Sequence, residues 1–252
     1  MTALPAVLEP LVADPAGTAV LLDFDGTLSE IVERPELAGP VDGARDAVAA
    51  AAAAFGLVAV VSGRPTKDVG RLLGVDGIRY LGMYGMEELP DAAVPEDLLA
   101  GVRAAADAVA GARVEDKATS VAVHYRQAAD PEAARESLLH DLGPVAEAAG
   151  FEPIEGKMVV ELVPRGRPRK GGAVRRLLEE SGARVALYAG DDRADLEAFE
   201  ELVRFRDQGG QGVRVAVVGP ETPETLTAEA DLTADGPAGF AALLRDLAAA
   251  AA

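Results

Sequence analysis

Short apolar runs alternate with alanine- and leucine-rich stretches in the first third of the chain. The apolar runs predict buried strands over Thr18–Leu22, Leu57–Val61 and Ile78–Leu81. Strong helix formers predict helices over Val41–Phe55 and Pro65–Leu73, the second with proline at an early position that tolerates it. This alternation is typical of a parallel sheet with helices on its faces.

The same alternation returns near the end of the chain. It predicts, in chain order, helix Gly171–Glu180, strand Val185–Ala189, helix Arg193–Leu202, strand Val213–Val218, a short strand near Asp231–Thr233 and helix Pro237–Ala249. Both ends of the chain therefore predict one α/β core with a Rossmann-like parallel sheet.

The middle of the chain has a different pattern, in which a helix followed by two strands occurs twice. The predicted elements are helix Pro95–Ala110, strands Arg113–Lys117 and Ser120–Arg126, helix Pro131–Ala149, and strands Phe151–Glu155 and Met158–Val163. We expect an antiparallel sheet covered on one face by two helices, which is an α+β cap.

Proline-rich segments flank this cap, around Pro90 and between Pro164 and Pro168. We therefore predict a core domain formed by residues 1–90 and 166–252, interrupted by an inserted cap domain at 91–165. Two linkers would join them and act as a hinge.

Charge and composition exclude several classes of protein. The 252 residues carry 24 basic and 42 acidic side chains, a net charge of −18, which repels nucleic acids and anionic membranes. There are no cysteines and two histidines, His124 and His140, so thiolate chemistry and cysteine or histidine metal cages are excluded. Any chemistry must use carboxylates, basic side chains and hydroxyls.

The first residues do not resemble a signal peptide, since Glu9 and Asp14 stand where such a segment would be apolar. No apolar run reaches the ~18–20 residues that cross a bilayer. We expect a cytoplasmic protein that is a monomer, with no nucleic-acid or membrane partner.

The first strand ends in two carboxylates, Asp23 and Asp25, followed by Gly26. Ligands of open α/β sheets bind beyond the carboxyl ends of the strands, which places both acids in that crevice. Burying carboxylates costs several kcal/mol unless a cation compensates, so this pair implies a bound cation. The alternative is that both residues only form a turn.

Three later segments follow other predicted strands or begin helices. Ser62 and Gly63 precede a helix and offer a hydroxyl and N–H groups to an anion, and Lys170 stands where it can reach a phosphate. Asp191 and Asp192 follow another strand. Taken singly, these residues also fit helix caps or a surface charge. Their occurrence together is the stronger signal.

Together the four segments resemble the motifs of the haloacid dehalogenase-like phosphotransferase superfamily, in the same order. The resemblance implies that Asp23 is a nucleophile that forms an aspartyl-phosphate, and that Asp25 is the general acid and then the base. It also implies that Ser62, Gly63 and Lys170 bind phosphate. The implied cofactor is Mg²⁺, bound by Asp23, the Asp25 carbonyl and Asp191, with Asp192 or Asp195 in support.

Nearly the whole chain is similar to trehalose-6-phosphate phosphatases, including a cap of the C2 type. This resemblance implies a phosphoric monoester hydrolase that acts on a small sugar phosphate, trehalose 6-phosphate. The implied sugar-binding residues of the cap are Glu115, Lys117, His124, Arg126, Lys157 and Glu161. From the charge pattern alone, Glu115, Lys117, Lys157 and Glu161 fit a solvated ion-pair face better than a sugar site, and His124 fits a packing role equally well.

The chain departs from the usual family pattern at Tyr84, Val163, Ala194 and Leu196. Alternative substrates are therefore sucrose phosphate, a glycosyl-phosphoglycerate or a pseudo-disaccharide phosphate. A sensor that binds a sugar phosphate without hydrolysis, and a phosphomutase, are further alternatives.

Overall fold

The structure is a computed structural model that describes residues 4–32, 37–88, 93–117, 119–156, 158–166 and 168–252. The chain divides into two compact units. The core unit comprises Met1–Gly85 and Pro168–Ala252, and the cap unit comprises Met86–Arg167. The domain limits set out above, at 90/91 and 165/166, stay a prediction, and residues 89–92 lie outside the described residues.

The strands are β1 (Thr18–Leu22), β2 (Leu57–Val61), β3 (Arg79–Leu81), β4 (Arg113–Asp116), β5 (Val121–His124), β6 (Phe151–Gly156), β7 (Val159–Pro164), β8 (Val185–Gly190), β9 (Gln211–Val218) and β10 (Leu232–Asp235). The α-helices are α1 (Glu9–Ala13), α2 (Ala44–Ala54), α3 (Thr66–Leu73), α4 (Glu96–Asp107), α5 (Pro131–Ala148), α6 (Lys170–Ser181), α7 (Asp195–Asp207), α8 (Glu224–Glu229) and α9 (Gly236–Ala251). Short 3₁₀ turns cover Ala6–Leu8, Pro15–Gly17 and Gly82–Glu88.

The core unit is built on a six-stranded sheet with the order β10-β9-β8-β1-β2-β3. All of its neighbouring strands pair in parallel. In β1, Leu22 is level with Val60 of β2 and Ala189 of β8, so these three strands end at the same edge. The residues that follow β1, β2 and β8 therefore come together in space.

Two apolar layers cover the core sheet. Strand side chains such as Val20 and Val60 pack with α2, α3 and α9 on one face, and Leu21 and Ala59 pack with α6 and α7 on the other. The central strand β1 is buried along its whole length. The sequence of such a strand is a continuous apolar run, so the sequence pattern predicted β1 correctly.

The cap unit has a four-stranded antiparallel sheet with the order β4-β5-β7-β6. Alternate residues of its strands, including Val121, Val123, Val160 and Leu162, form an apolar cluster with α4 and α5. The predicted sheet with two helices on one face is confirmed. The strand predicted to reach Arg126 ends at His124, because Tyr125 is buried with the cap core and begins a turn.

Two other features of the core unit differ from the sequence expectation. The helix expected from Arg193 begins at Asp195, because the Asp192 carboxylate accepts hydrogen bonds from the N–H groups of Ala194 and Asp195 and closes a turn first. The short helices α1 and α8 were not predicted. Among the described residues, no helix combines the length and apolar character needed to cross a bilayer.

Asp231 fastens the edge strand β10 to β9. Its carboxylate accepts a hydrogen bond from the Arg214 N–H at 2.8 Å and pairs with the guanidinium groups of Arg214 and Arg206. Burial acts to raise the pKa of Asp231, but the hydrogen bonds from the two arginines outweigh it and lower the pKa to about 2. The folded chain therefore stabilises the ionised form of Asp231 relative to its protonated form.

We expect Asp231→Asn to lower the free energy of unfolding by about 1 kcal/mol at pH 7, after allowance for solvent screening. The native pKa lies below the unfolded value of about 3.9, so the stabilisation is complete above that pH and is lost as the pH falls toward 2. Urea unfolding at pH 7 and pH 3 measures the difference. Asp246→Asn, on the exposed surface of α9, is the control. The prediction is contradicted if the free energies of unfolding of wild type and Asp231→Asn differ by the same amount at both pH values.

Candidate active site

Asp23, Asp191 and Asp195 form a buried group of carboxylates at the edge of the core sheet. One carboxylate oxygen from each lies within 4.8 Å of the others. Asp23 directly follows β1 and Asp191 directly follows β8, and the Asp23 N–H donates to the Ala189 carbonyl at 2.9 Å. The parallel register of β1 and β8 thus brings together two residues that are 168 positions apart in sequence.

Lys170, the first residue of α6, lies within this group and is 2% exposed. Its Nζ is 2.7 Å from Asp195 Oδ1, 3.2 Å from Asp23 Oδ1 and 3.7 Å from Asp192 Oδ1. Burial alone would lower the pKa of Lys170, but the surrounding carboxylates raise it well above its ordinary value. The lysine is therefore a fixed positive charge at neutral pH.

Asp195 is the most enclosed member of the group. Besides Lys170, it accepts hydrogen bonds from the Tyr188 hydroxyl at 2.6 Å and from the N–H groups of Asp191 and Asp192 at 2.9 and 2.8 Å. All of these donors converge on its two oxygens. Asp195 therefore fixes the loop after β8 and the lysine, and its oxygens are already occupied.

Asp191 is held less closely than Asp195. Its carboxylate accepts one long hydrogen bond, 3.4 Å, from the Thr27 hydroxyl. Burial first, and then the charges of Asp195 and Asp192, raise the pKa of Asp191 to about 7. Burial likewise raises the pKa of Asp23 well above its ordinary value, although Lys170 opposes it. One ammonium group does not balance these carboxylates.

A divalent cation fits this donor set. Carboxylate and carbonyl oxygens are the ligands that Mg²⁺ prefers, and a second cation would offset the uncompensated negative charge. Gly26 adds a steric argument, because its φ is +75° and a Cβ at this position would overlap the Asp191 carboxylate. The close approach of the loop after β1 to Asp191 therefore requires glycine here.

Asp25 does not direct its side chain into the carboxylate group. Both of its oxygens pair with the Arg64 guanidinium, at 2.7 Å each, and Arg64 also lies over the Phe24 ring. Sequence reasoning did not anticipate this pair. The sequence feature that could have indicated the pair is Arg64 in the Ser62-Gly63-Arg64 segment, because this segment follows the strand adjacent to β1.

Ser62 is buried directly after β2. Its hydroxyl oxygen accepts a hydrogen bond from the Arg64 N–H at 3.2 Å, which leaves the hydroxyl proton to donate. Gly63 comes next, before helix α3 begins at Thr66. The two predicted phosphate-binding residues thus stand at the same sheet edge as Asp23.

Asp192, predicted to help hold the metal, lies at the margin of the buried carboxylate group, 3.7 Å from Lys170. The side chain is 56% exposed and forms the turn before α7, outside the group of Asp23, Asp191 and Asp195. Between the two supporting residues left open by the sequence, Asp195 is the one with buried contacts. The sequence feature that could have indicated Asp195 is its spacing from Asp191, which puts Asp195 in the first turn of the next helix.

Three predicted sugar-binding residues of the cap share one sheet face. In the strand register, Glu115 is level with Ala122, which is level with Glu161, while His124 lies two residues from Ala122. This face is opposite the one that packs on α4 and α5, since the alternate residues form the cap core. The polar face, defined here as Glu115, Lys117, Ser120, His124 and Glu161, therefore points away from α4 and α5.

The polar face is held together by hydrogen bonds. Glu161 accepts from Ser120 at 2.6 Å and from Lys117 at 3.2 Å, and His124 Nε2 lies 2.7 Å from Glu115. The hydrogen bond with His124 lowers the pKa of Glu115. Arg126 is exposed in the turn after β5, and Lys157 lies outside the described residues. The structure thus assembles four of the six predicted cap residues.

Comparison with known proteins identifies the family. The trehalose-phosphatase model matches residues 21–231. The chain belongs to the trehalose-phosphatase family. The haloacid dehalogenase-like fold with a cap, predicted from the sequence, is confirmed.

Two relatives and one solved structure illustrate the match. The chain is 41% identical to a Mycobacterium tuberculosis (strain H37Rv) protein described as an uncharacterized glycosyl hydrolase, over 76% of this chain and 16% of that protein. It is 36% identical to a trehalose-phosphate phosphatase of Mycolicibacterium paratuberculosis, over 91% of this chain and 62% of that protein. The chain therefore spans less than two thirds of the length of either relative.

Among solved structures, the trehalose-6-phosphate phosphatase of Aspergillus fumigatus has a TM-score of 0.72 with 24% sequence identity, and the match covers 97% of each chain. At this identity the structural likeness supports the family fold.

We expect Mg²⁺ to raise the melting temperature of the metal-free wild-type protein by several degrees, because a ligand that binds only the folded state stabilises it. Asp191→Asn should remove most of this increase. Thermal unfolding after chelation, with and without added Mg²⁺, measures the effect. Asp46→Asn, an exposed change on α2, should respond like wild type. An unchanged melting temperature of the wild-type protein at millimolar Mg²⁺ contradicts the metal site.

Proposed function

We propose that this chain is a monomeric, Mg²⁺-dependent phosphatase that hydrolyses trehalose 6-phosphate to trehalose and inorganic phosphate. The observation that supports this most strongly is the convergence of Asp23, Asp191 and Lys170 at one sheet edge, in a chain of the trehalose-phosphatase family. A carboxylate nucleophile, a fixed cation and a candidate metal site are what attack on a phosphate dianion requires.

In the first step, an Asp23 carboxylate oxygen attacks phosphorus and the bond between phosphorus and the sugar oxygen breaks. Asp25 donates a proton to the departing sugar oxygen, which leaves an aspartyl-phosphate on Asp23. Asp25 is paired with Arg64 through both oxygens in the structure. It must therefore release Arg64 before it can serve as the acid.

In the second step, water attacks phosphorus, the bond to Asp23 breaks and Asp25 accepts a proton from the water. Inorganic phosphate leaves, and the Asp23 carboxylate is restored. Lys170 and the Ser62–Gly63 segment would hold the phosphoryl oxygens in both steps. Asp195 would keep Lys170 in place through its 2.7 Å contact.

The carboxylates of Asp23 and Asp191 and the carbonyl of Asp25 would hold the metal ion. When bound, Mg²⁺ supplies positive charge that lets a phosphate dianion approach Asp23. Asp195 would support this arrangement from outside the ligand set, because its oxygens are occupied by other donors.

The polar face of the cap would bind the sugar. Paired hydroxyls of a disaccharide are recognised by fixed donors and acceptors, and Glu161, Lys117, Glu115 and His124 form such a set. Arg126 and Lys157 belong to the proposal through the family resemblance alone. The departures at Tyr84, Val163, Ala194 and Leu196 concern the identity of the sugar, which a panel of sugar phosphates tests.

We expect Asp23→Asn to reduce phosphate release from trehalose 6-phosphate by about 10³-fold or more, because it removes the nucleophile. Circular dichroism should show an unchanged fold. Assays of trehalose 6-phosphate, sucrose 6-phosphate, glucosyl-phosphoglycerate and glucose 6-phosphate in Mg²⁺ then rank the substrates by kcat/KM. Turnover by Asp23→Asn at the wild-type rate contradicts the mechanism, and a flat ranking contradicts a disaccharide site. Tight binding of all four without phosphate release indicates a sensor.

We expect Glu161→Gln to lower kcat/KM for trehalose 6-phosphate by about 10-fold or more and to change it little for p-nitrophenyl phosphate, which has no sugar. The glutamine can still accept the Ser120 hydrogen bond, so the cap should stay folded. Glu155→Gln is the matched control, because Glu155 pairs with Arg135 of α5 and lies on the strand positions that face the helices. Equal losses on both substrates contradict the sugar-binding role of the polar face.

A further inference from the structure

The segment after β3 has an unusual backbone. Met83, Tyr84 and Gly85 have φ values of +48°, +55° and +82°, so two consecutive non-glycine residues adopt the left-handed conformation. Residues other than glycine rarely adopt this backbone conformation unless surrounding contacts fix it. Residues with strained backbones of this kind cluster at functional sites.

The contacts that fix this segment come from the loop after β2. The Met83 N–H donates to the Arg64 carbonyl at 2.9 Å, and the Tyr84 N–H donates to the Ser62 carbonyl at 3.1 Å. The Gly82 N–H donates to the Thr66 hydroxyl at 2.9 Å. The strained backbone therefore presents Tyr84 directly to the Ser62–Gly63 segment.

The Tyr84 side chain lies between that segment and the lysine. Lys170 Nζ is 5.9 Å from the centre of the Tyr84 ring, and the phenol oxygen is 3.1 Å from the point that a Cβ on Gly63 would occupy. Burial raises the pKa of Tyr84, and the charge of Asp23 adds to this effect. The phenol thus stands close to both predicted phosphate-binding groups.

The Tyr84 hydroxyl differs from other phenols of the core unit in having no hydrogen-bond partner among the residues that the structure describes. By contrast, the Tyr80 hydroxyl donates to the Val75 carbonyl at 2.8 Å, and the Tyr188 hydroxyl donates to Asp195 at 2.6 Å. The Tyr84 side chain is only partly buried, so its hydroxyl is open to solvent and can reach a ligand oxygen.

We propose that the Tyr84 hydroxyl donates a hydrogen bond to a phosphoryl oxygen of the bound ligand, beside Lys170 and Gly63. The inference rests on the proposed function only in placing a phosphate group at Lys170. A Cβ at position 63 would lie 3.1 Å from the phenol oxygen, so a side chain there would force the hydroxyl to shift by a few tenths of an ångström.

Inorganic phosphate, titrated calorimetrically into the full chain in the presence of Mg²⁺, is the probe. We expect Tyr84→Phe to weaken phosphate binding by about 5- to 20-fold, the usual effect of losing one hydrogen bond to a charged group. The ring and its contact with Lys170 remain. The matched control is Tyr80→Phe, which loses its hydrogen bonds with Val75. It should lower the melting temperature and leave the phosphate affinity unchanged.

A second comparison tests the contact with Gly63. Gly63→Ala should weaken phosphate binding more in the wild-type background than in Tyr84→Phe, because the alanine Cβ would crowd the hydroxyl oxygen at 3.1 Å but only meet the ring carbon at 3.5 Å. Equal effects in the two backgrounds contradict the placement of the hydroxyl.

The proposal is overturned if Tyr84→Phe binds phosphate like wild type, if Tyr80→Phe weakens binding equally, or if the wild-type protein binds no phosphate. These outcomes are separate from a failure of the proposed function. A wild-type protein that binds phosphate through Tyr84 but does not hydrolyse trehalose 6-phosphate would support the hydroxyl contact and contradict the phosphatase.

Discussion

The candidate site depends on the burial of Lys170 among aspartates. A lysine that is 2% exposed is stable only because Asp195 and Asp23 lie within 3.2 Å of its ammonium group. Asp23 directly follows β1 and Asp195 begins the helix after β8, so this contact requires both strands to hold their register. Removing the ammonium group leaves Asp23 and Asp195 buried without their counter-charge, which couples the stability of this edge of the sheet to the groups proposed for catalysis.

Much of the fold was predictable because its signals are local. The buried parallel strands are continuous apolar runs, and β1 and β2 were located to the residue. Their common edge follows from the topology of open α/β sheets, so the meeting of Asp23, Ser62 and Asp191 could be expected. The cap was predicted from its repeated helix–strand–strand pattern, and its polar face follows from the alternation of side chains in β5 and β7.

Other features depend on contacts that no local pattern specifies. The pairing of Asp25 with Arg64, and of Asp195 with Tyr188, joins residues through side-chain geometry that appears only after the strands pair. The later start of α7 results from competition between a side-chain turn at Asp192 and the helix. The left-handed conformation of Met83 and Tyr84 is imposed by the neighbouring loop, against the preference of the residues themselves.

The four donors that converge on Asp195 have a consequence for the energetics of turnover. Because Asp195 binds Lys170, Tyr188 and two backbone N–H groups at once, the loop that carries Asp191 is held by hydrogen bonds within the protein itself. The chain thereby sets these charges in position during folding. A preorganised array of this kind needs little reorientation as charge develops on the reacting group, whereas water must reorient each time.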